Sequence, residues 1–350
     1  MTVTVAEQLP ATEDSFADRY AGATRDVYRR TLLDLARRDP LVFCVDTDTG
    51  GLETTFGTEL PGRYINVGIA EANLMGVSAG LAATGLRPYA HTLSGFAAAR
   101  ACEQLKVDIA GNNLPVRVVV THGGLSSGHY GPTHHAVDDL AILRTMPNLT
   151  IVVPADAAET EQAVLATADL PGPVLIRLGR AATPLVHDTV PEFVPGRAAQ
   201  LRDGDDVTIV ATGPHPVLMA LRAHDELAAL GISARVLNMH TIKPLDTAAL
   251  LRAARETAGI VTVEDHLVIG GLGAAVCEVV TQDAPVRVRR IGVPDRFIDR
   301  VGDEHDLLVA AGVSTERIVA QGLALAEAQR NDRAPAERHQ ASRAGSSSRG

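Results

Sequence analysis

The sequence predicts an α/β protein with two successive domains, each built on a mostly parallel sheet that is covered by helices. Short apolar segments alternate with amphipathic ones, and Gly- and Pro-containing connections separate them. A looser segment rich in Pro, Thr and Val, 182–197, divides this alternation into two series. With 350 residues, the chain also exceeds what a single hydrophobic core usually supports.

The first series predicts a domain over residues 17–190. Apolar and β-branched segments indicate strands at 41–45, 64–67, 87–90, 115–121, 150–153 and 173–177. Amphipathic or small-residue segments indicate helices at 69–84, 97–110 and 155–168.

The second series predicts a smaller domain over residues 198–328. Its strands are expected at 207–211, 234–238, 260–263 and 286–291, and its helices at 216–230, 247–257, 272–281 and 315–327. The two ends of the chain, 1–16 and 329–350, are polar and lack apolar periodicity, so we expect them to be disordered.

Composition excludes several classes of function. The 42 acidic side chains outnumber the 32 basic ones, and no basic cluster stands out in the folded part, which argues against a nucleic-acid partner. No stretch of 18 apolar residues occurs and the N-terminus lacks a basic and then apolar leader, so we expect a cytoplasmic protein without a membrane partner. Three widely spaced cysteines suit neither a disulfide framework nor a zinc site.

One carboxylate, Glu71, lies in the first turn of the predicted helix 69–84. The run 64–85 around it holds no basic residue. An acid at this position commonly complements the helix dipole. A carboxylate held beside an apolar helix can instead take part in proton transfer, and the run alone leaves both interpretations open.

The densest polar cluster is the loop 121–135, which holds four histidines, one tyrosine and four glycines. It follows the predicted strand 115–121, and loops beyond the carboxyl ends of parallel strands are where ligands bind. A metal site is one alternative, but no His-x-x-x-His on a helix and no nearby acidic pair support it. Binding of hydroxyl or phosphate groups by imidazoles fits better, while His135 suits a structural role.

Several ordered segments together resemble the carboxyl-terminal half of transketolase over residues 17–328. This resemblance implies a thiamine diphosphate enzyme whose first domain binds the pyrimidine ring and whose second is the transketolase C-terminal domain. The agreeing segments are 64–85, 92–104, 121–134, Pro154-Ala-Asp156, 173–180, Ile242-Lys-Pro-Leu-Asp246, Val263-Glu-Asp-His266 and Arg290-Ile-Gly-Val-Pro-Asp-Arg-Phe297.

The family's Gly-Asp-Gly motif, followed about thirty residues later by Asn, is absent from this sequence. That motif holds the diphosphate and the metal in the family's other domain. The resemblance therefore implies the second subunit of a split transketolase, in which a partner subunit holds the diphosphate and Mg²⁺ or Ca²⁺. The simplest assembly is a two-plus-two heterotetramer, with no metal ligand in this chain.

The resemblance assigns four residues to the cofactor. Glu71 matches the glutamate that hydrogen-bonds the aminopyrimidine N1′ and so acts as a relay in acid/base catalysis. Phe96 matches the ring that stacks on the pyrimidine, Leu93 replaces a second family phenylalanine, and Asp48 matches an acid near the cofactor.

It also assigns residues to the substrate. His122 and His134 match histidines that contact donor hydroxyls and the developing oxyanion, so His134 joins Glu71 as a catalytic residue. Arg25 and Arg180 match two arginines that grip the phosphate of sugar phosphates.

Two departures from the family concern the substrate. His129-Tyr130-Gly131 stands where the family has Glu-Asp-Gly, and the lost aspartate reads the configuration of the donor's C2 hydroxyl. We place His129 and Tyr130 in the substrate site, although Tyr130 offers no anionic acceptor. Thr49-Gly-Gly-Leu52 replaces a serine-rich stretch that adds a phosphate contact. Donor identity and phosphate dependence stay open.

The resemblance implies a transferase that moves a two-carbon ketol unit from a ketose or ketose phosphate to an aldehyde-type acceptor, in carbohydrate metabolism or a specialised biosynthesis. Two alternatives remain. One is a related thiamine enzyme with a 2-oxo acid donor, similar to deoxyxylulose-phosphate synthase or to an E1 beta subunit. The other is a non-catalytic assembly subunit that kept only the fold.

Overall fold

The computed structural model describes the backbone of residues 15–346 and the side chains of residues 15–331. Most of the predicted disordered segments, 1–16 and 329–350, lies outside the residues whose side chains are described. Two mixed, mostly parallel sheets flanked by helices make up the fold, which confirms the predicted class.

The first sheet has seven strands, in the order β10-β5-β6-β4-β3-β1-β2. Every pairing in it is parallel except that between β10 and β5. Its strands are β1 (Val42–Asp46), β2 (Tyr64–Asn66), β3 (Arg87–Leu93), β4 (Arg117–Thr121), β5 (Thr150–Val152), β6 (Val174–Arg177) and β10 (Thr241–Lys243).

Helices cover both faces of this sheet: α1 (Phe16–Arg19), α2 (Thr24–Arg38), α3 (Glu71–Ala83), α4 (Ser94–Ala99), α5 (Cys102–Gln104), α6 (Asp139–Leu143) and α7 (Ala157–Thr167). One predicted helix is interrupted. The segment 97–110 is not one continuous helix, because α4 and α5 break at Arg100 and Ala101 and a π-helical turn, Leu105–Ala110, follows. After this break, α5 and the π-helical turn pack against α3.

The second sheet has five strands, in the order β12-β11-β8-β9-β7, and only β7 runs antiparallel to its neighbour. The strands are β7 (Ala199–Arg202), β8 (Val207–Ala211), β9 (Ala234–Asn238), β11 (Ile260–Leu267) and β12 (Val288–Val293). The helices are α8 (Pro214–Ala229), α9 (Thr247–Glu256), α10 (Leu272–Asp283), α11 (Glu304–Ala310) and α12 (Thr315–Ser346).

Strand β10 links the two sheets. It comes from the second series of the chain, yet it pairs antiparallel with β5 at the edge of the first sheet, with Thr241 opposite Val152 and Lys243 opposite Ile151. The Lys243 ammonium reinforces this pairing, because it donates to the backbone oxygens of Arg144, at 3.1 Å, and of Met146.

A buried arginine also joins the domains. Arg177, at the end of β6, is 2% exposed and lies 2.7 Å from Asp139 of α6 and 2.8 Å from Asp265 of β11. Two carboxylates surround one guanidinium here, so burial is compensated by paired charges and hydrogen bonds.

Within the described part of the chain, no single helix is both long and apolar enough to cross a membrane; only a bent pair, α11 with the start of α12, meets those length and composition limits together.

Candidate active site

The candidate site lies at the carboxyl edge of the first sheet. Strands β1, β3 and β4 are neighbours, so the segments that follow them meet at one edge. Asp48 follows β1, Leu93 ends β3, and His122 follows β4. Both Asp48 and His122 have positive φ angles, of 63° and 62°, which side-chain-bearing residues rarely adopt.

Glu71 is the first residue of α3 and is only 4% exposed. A tight turn delivers it from β2: Gly68 has a φ of 71°, and its N–H donates to the Asn66 side chain at 2.8 Å. The run 64–85 holds no basic residue, but the fold brings one to Glu71, because Arg100 Nη1 lies 3.2 Å from Glu71 Oε1. The two residues are 29 positions apart, so the local sequence does not show the pair.

Phe96 lies on α4, one turn before Arg100. The Arg100 guanidinium carbon is 3.8 Å from the centroid of the Phe96 ring. His134 meets the same ring edge-on, with centroids 5.2 Å apart and an interplanar angle of 65°. The structure thus joins Glu71, Phe96 and His134, which the sequence places on three separate segments.

A continuous series of rings extends from Phe96 along the loop 122–136. The Tyr130 ring lies 4.8 Å from His134, 3.9 Å from His129 and 6.5 Å from His122. Tyr130 is 52% exposed. His129 and Tyr130, which we place in the substrate site, therefore lie among the histidines predicted to contact substrate.

Backbone contacts hold this loop closed. Gly124 and Ala136 exchange backbone hydrogen bonds of 3.0 and 2.9 Å, and Ser127 donates to the His134 carbonyl at 2.5 Å. Arg177 reaches the loop as well, because its Nη2 donates to the Ala136 carbonyl at 3.2 Å. The buried arginine therefore fixes the loop that carries the histidines.

His122 is buried and its Nδ1 lies 2.9 Å from the Thr121 hydroxyl. Burial, followed by the positive charges of Arg25 and Arg180, lowers the pKa of His122 to about 3. The ring is therefore neutral near pH 7 and can offer either a donor or an acceptor nitrogen to a hydroxyl group.

Arg25 and Arg180 come together because α2 begins beside the segment that follows β6. Ala23 and Ala182 form a β-bridge, and the Thr24 hydroxyl donates to the Gly179 carbonyl at 3.4 Å. Arg25 Nε is buried without a hydrogen-bond partner among the described side chains, although the Asp26 carboxylate lies 3.8 Å away. Two guanidinium groups beside a neutral imidazole suit an anionic group of a ligand.

Two sequence-predicted residues stay apart from these contacts. Asp48 is exposed in the loop after β1, and in the described structure its side chain forms no hydrogen bond or ion pair with the other candidate residues. His135, for which we expect a structural role, lines a separate depression with Pro132, Asp138 and Phe297, and neither of its ring nitrogens has a hydrogen-bond partner there.

Sequence reasoning missed a buried network below Asp48. The Asp46 carboxylate accepts hydrogen bonds from the Thr49 hydroxyl at 2.8 Å and the Tyr64 hydroxyl at 3.0 Å, and His91 Nδ1 lies 3.2 Å away. Burial opposes ionisation of Asp46, but the contact with His91 and these hydroxyls lowers its pKa. The network fixes the loop that presents Asp48.

Comparison with known proteins identifies two successive domains and the family of the chain. Residues 21–185 match the model of the transketolase pyrimidine-binding domain, and residues 196–318 match that of the transketolase C-terminal domain. The chain is 42% identical over 304 residues to an apulose-4-phosphate transketolase subunit of Phocaeicola vulgatus, covering 86% of this chain and 96% of that one. The chain belongs to the transketolase family.

Two further similar proteins indicate that this transketolase chain is one subunit of an enzyme. It is 41% identical to the 6-deoxy-6-sulfo-D-fructose transketolase subunit SqwH of a Clostridium species, covering 84% of this chain and 92% of the relative. It superposes with a TM-score of 0.81 on a solved structure described as a split gene transketolase, inactive beta4 tetramer, at 41% identity, covering 87% and 98% of the two chains. The chain is thus a subunit of a split transketolase, which is a transferase.

Transketolases use thiamine diphosphate and a divalent metal. The buried Glu71 carboxylate and the Phe96 ring both contact the Arg100 guanidinium, and the two groups fit an aminopyrimidine ring, which needs a hydrogen-bonding edge and a stacking face. In the described part of the chain, no group of three His, Cys, Asp or Glu side chains is placed to hold a metal ion. Glu71 and Phe96 both lie within residues 21–185, the part of this transketolase chain that matches the pyrimidine-binding domain.

Proposed function

We propose that this chain is the pyrimidine-binding subunit of a split transketolase, which transfers a two-carbon ketol unit from a ketose or ketose phosphate to an aldehyde-type acceptor. The juxtaposition of Glu71, Phe96 and His134 carries this proposal, because a proton relay, a stacking ring and a substrate imidazole then share one site. The names of the two relatives, which are transketolase subunits for sugar derivatives, support it.

Bound thiamine diphosphate supplies a nucleophilic carbon and an electron sink for cleavage beside a carbonyl. Glu71 would hold a proton at the pyrimidine N1′, and its carboxylate, at the buried start of α3, would shield that hydrogen bond from water. Phe96 orients the ring by stacking, and Leu93, at the end of β3, lines the apolar slot next to it.

The donor side is formed by imidazoles and arginines. His122 and His134 bind donor hydroxyls and stabilise charge on the reacting oxygen, and the low pKa of His122 keeps it neutral while it does so. Arg25 and Arg180 hold an anionic group at the far end of the donor. His129 and Tyr130 line the path between these two ends.

The rest of the cofactor site belongs to a complementary subunit, which holds the diphosphate and Mg²⁺ or Ca²⁺ in a two-plus-two heterotetramer. The description of the 41% identical tetramer of beta chains as inactive supports this division. On this basis the chain alone has no transferase activity.

The test is reconstitution with the complementary subunit, thiamine diphosphate and Mg²⁺. Incubation with xylulose 5-phosphate and an aldehyde acceptor should release glyceraldehyde 3-phosphate, and incubation with pyruvate should release no CO₂. Glu71→Gln should abolish turnover while size-exclusion chromatography shows an intact complex. CO₂ release from pyruvate would favour a 2-oxo acid donor, and full activity of Glu71→Gln would contradict the proposal.

A further inference from the structure

Arg100 contacts both side chains that the proposed function assigns to the pyrimidine ring. Its Nη1 is 3.2 Å from Glu71 Oε1, and its guanidinium carbon is 3.8 Å from the centroid of the Phe96 ring. The edge of the flat guanidinium therefore contacts the carboxylate, and its face contacts the aromatic ring.

A guanidinium and an aminopyrimidine present similar surfaces. Both are flat, both carry N–H groups at the edge, and both stack on aromatic rings. An aminopyrimidine ring that hydrogen-bonds Glu71 and stacks on Phe96 needs the carboxylate oxygen and the region of the phenyl face that the Arg100 guanidinium now contacts. Arg100 in its present position competes for both groups.

We propose that the Arg100 side chain holds the place of the cofactor's aminopyrimidine while the site is free of cofactor, and that it withdraws when the cofactor binds. This inference rests on the proposed function. It gives Arg100 a role that neither the aromatic stack nor the glutamate relay requires, which is to control how readily the site is loaded.

The exposure of the two partners makes this exchange feasible. The Glu71 side chain is 5% exposed, so leaving its carboxylate without a partner is unfavourable, and Arg100 satisfies it. The Arg100 side chain is 51% exposed, so it returns to water with little loss when another partner arrives.

Only the side chain has to move. The Arg100 backbone N–H donates to the Phe96 carbonyl at 2.8 Å, which closes the last turn of α4. Ala97, Ala98 and Ala99 separate the two residues, so Arg100 and Phe96 lie on the same face of the helix, one turn apart. Withdrawal of the guanidinium therefore leaves Phe96 in position.

Occupancy by Arg100 weakens the apparent affinity for the cofactor. The apparent dissociation constant equals the intrinsic one divided by the fraction of molecules with an open site. If Arg100 covers the site in about nine-tenths of the molecules, its removal tightens binding about tenfold.

The experiment is calorimetric titration of the reconstituted complex with thiamine diphosphate and Mg²⁺. Arg100→Gln should lower the dissociation constant roughly three- to tenfold. Arg252→Gln, an exposed arginine on α9, removes the same charge far from the site and should leave it unchanged. An Arg100→Gln complex that binds no tighter than the wild type would overturn the inference.

A second measurement distinguishes displacement of Arg100 by the cofactor from a role in which the Glu71–Arg100 pair only stabilises the fold. In the chain alone, Arg100→Gln should lower the thermal unfolding midpoint by about 2 °C, because Glu71 loses its partner. In the cofactor-loaded complex the same substitution should have no effect, and an equal loss there would show that Arg100 stays on Glu71. If the wild-type complex takes up no thiamine diphosphate, the proposed function itself is wrong, and the inference falls with it.

Discussion

The Arg177 guanidinium lies 2.8 Å from the Asp265 carboxylate, and the two residues belong to different sheets: Arg177 ends β6 of the first, and Asp265 lies in β11 of the second. Asp139 accepts from the same guanidinium at 2.7 Å. Since Arg177 also donates to the Ala136 carbonyl, one buried cation couples the domain interface to the histidine loop.

Arg177→Met should destabilise the chain by about 3–5 kcal/mol, because two carboxylates are left buried without their counter-charge. Urea unfolding measures this loss. Glu278→Gln, which breaks the more exposed pair with Arg144, is the control and should cost at most about 1 kcal/mol. Similar losses for the two variants would contradict a special role for Arg177.

His122 makes the stability of the fold depend on pH. Its pKa is about 3 in the folded chain and near 6.5 when unfolded, so the unfolded state binds more protons between these values. The free energy of unfolding should therefore fall on acidification below pH 6.5, by up to about 1.4 kcal/mol per pH unit from this group.

Comparison of His122→Gln with the wild type isolates this contribution. Between pH 6.5 and pH 5 the variant should lose up to about 2 kcal/mol less than the wild type in urea unfolding. His240 lies outside the substrate loop, and burial lowers its pKa to about 4, so His240→Gln should reduce the loss on acidification in the same direction. An unchanged pH dependence in His122→Gln would contradict the lowered pKa, because it would mean that the ring binds protons equally in the folded and unfolded chains.

Arg180→Gln should raise the KM for an anionic donor about tenfold or more, with a smaller change in kcat, because the guanidinium contacts the bound end of the donor rather than the reacting carbon. A neutral ketose serves as the matched substrate and should show little change. Steady-state kinetics of the reconstituted complex decide this, and equal losses for both donors would place Arg180 outside the phosphate site.

Tyr130→Asp should alter the preference for the configuration of the donor's C2 hydroxyl, because it restores an anionic acceptor at the position where the family carries aspartate. We expect a change of about tenfold or more in the ratio of kcat/KM between two epimeric donors. Tyr130 is half exposed, so stability should stay within about 0.5 kcal/mol. Tyr130→Asn is the uncharged control, and an identical shift for it would exclude an effect of charge.

Much of the fold was readable from local patterns. Strands β8 and β9 begin and end where their apolar runs do, because strands buried on both faces read as continuous apolar segments. Strand β10 was not predicted, since so short a strand carries no periodicity and its partner, β5, lies far away in the sequence. The break after α4 was also missed, because alanine-rich sequence favours a continuous helix.

The candidate site was also predictable from the sequence only in part. Ordered motifs that each span a few residues predict Glu71, Phe96 and His134 as site residues. The pair between Glu71 and Arg100 joins distant segments, and the Asp46–His91 contact depends on the register between β1 and β3, which places these residues directly opposite each other. Such contacts follow from tertiary packing, which a single sequence does not reveal.

The position of β10 has a consequence for dissecting the protein. A fragment that ends before the second domain would expose the backbone N–H and C=O groups of β5 along a free sheet edge, and such edges recruit other strands and aggregate. In the whole chain a three-residue strand with a charged lysine takes the outermost position instead, which is a poor template for further pairing. The second domain thereby protects the first from self-association once the whole chain has folded.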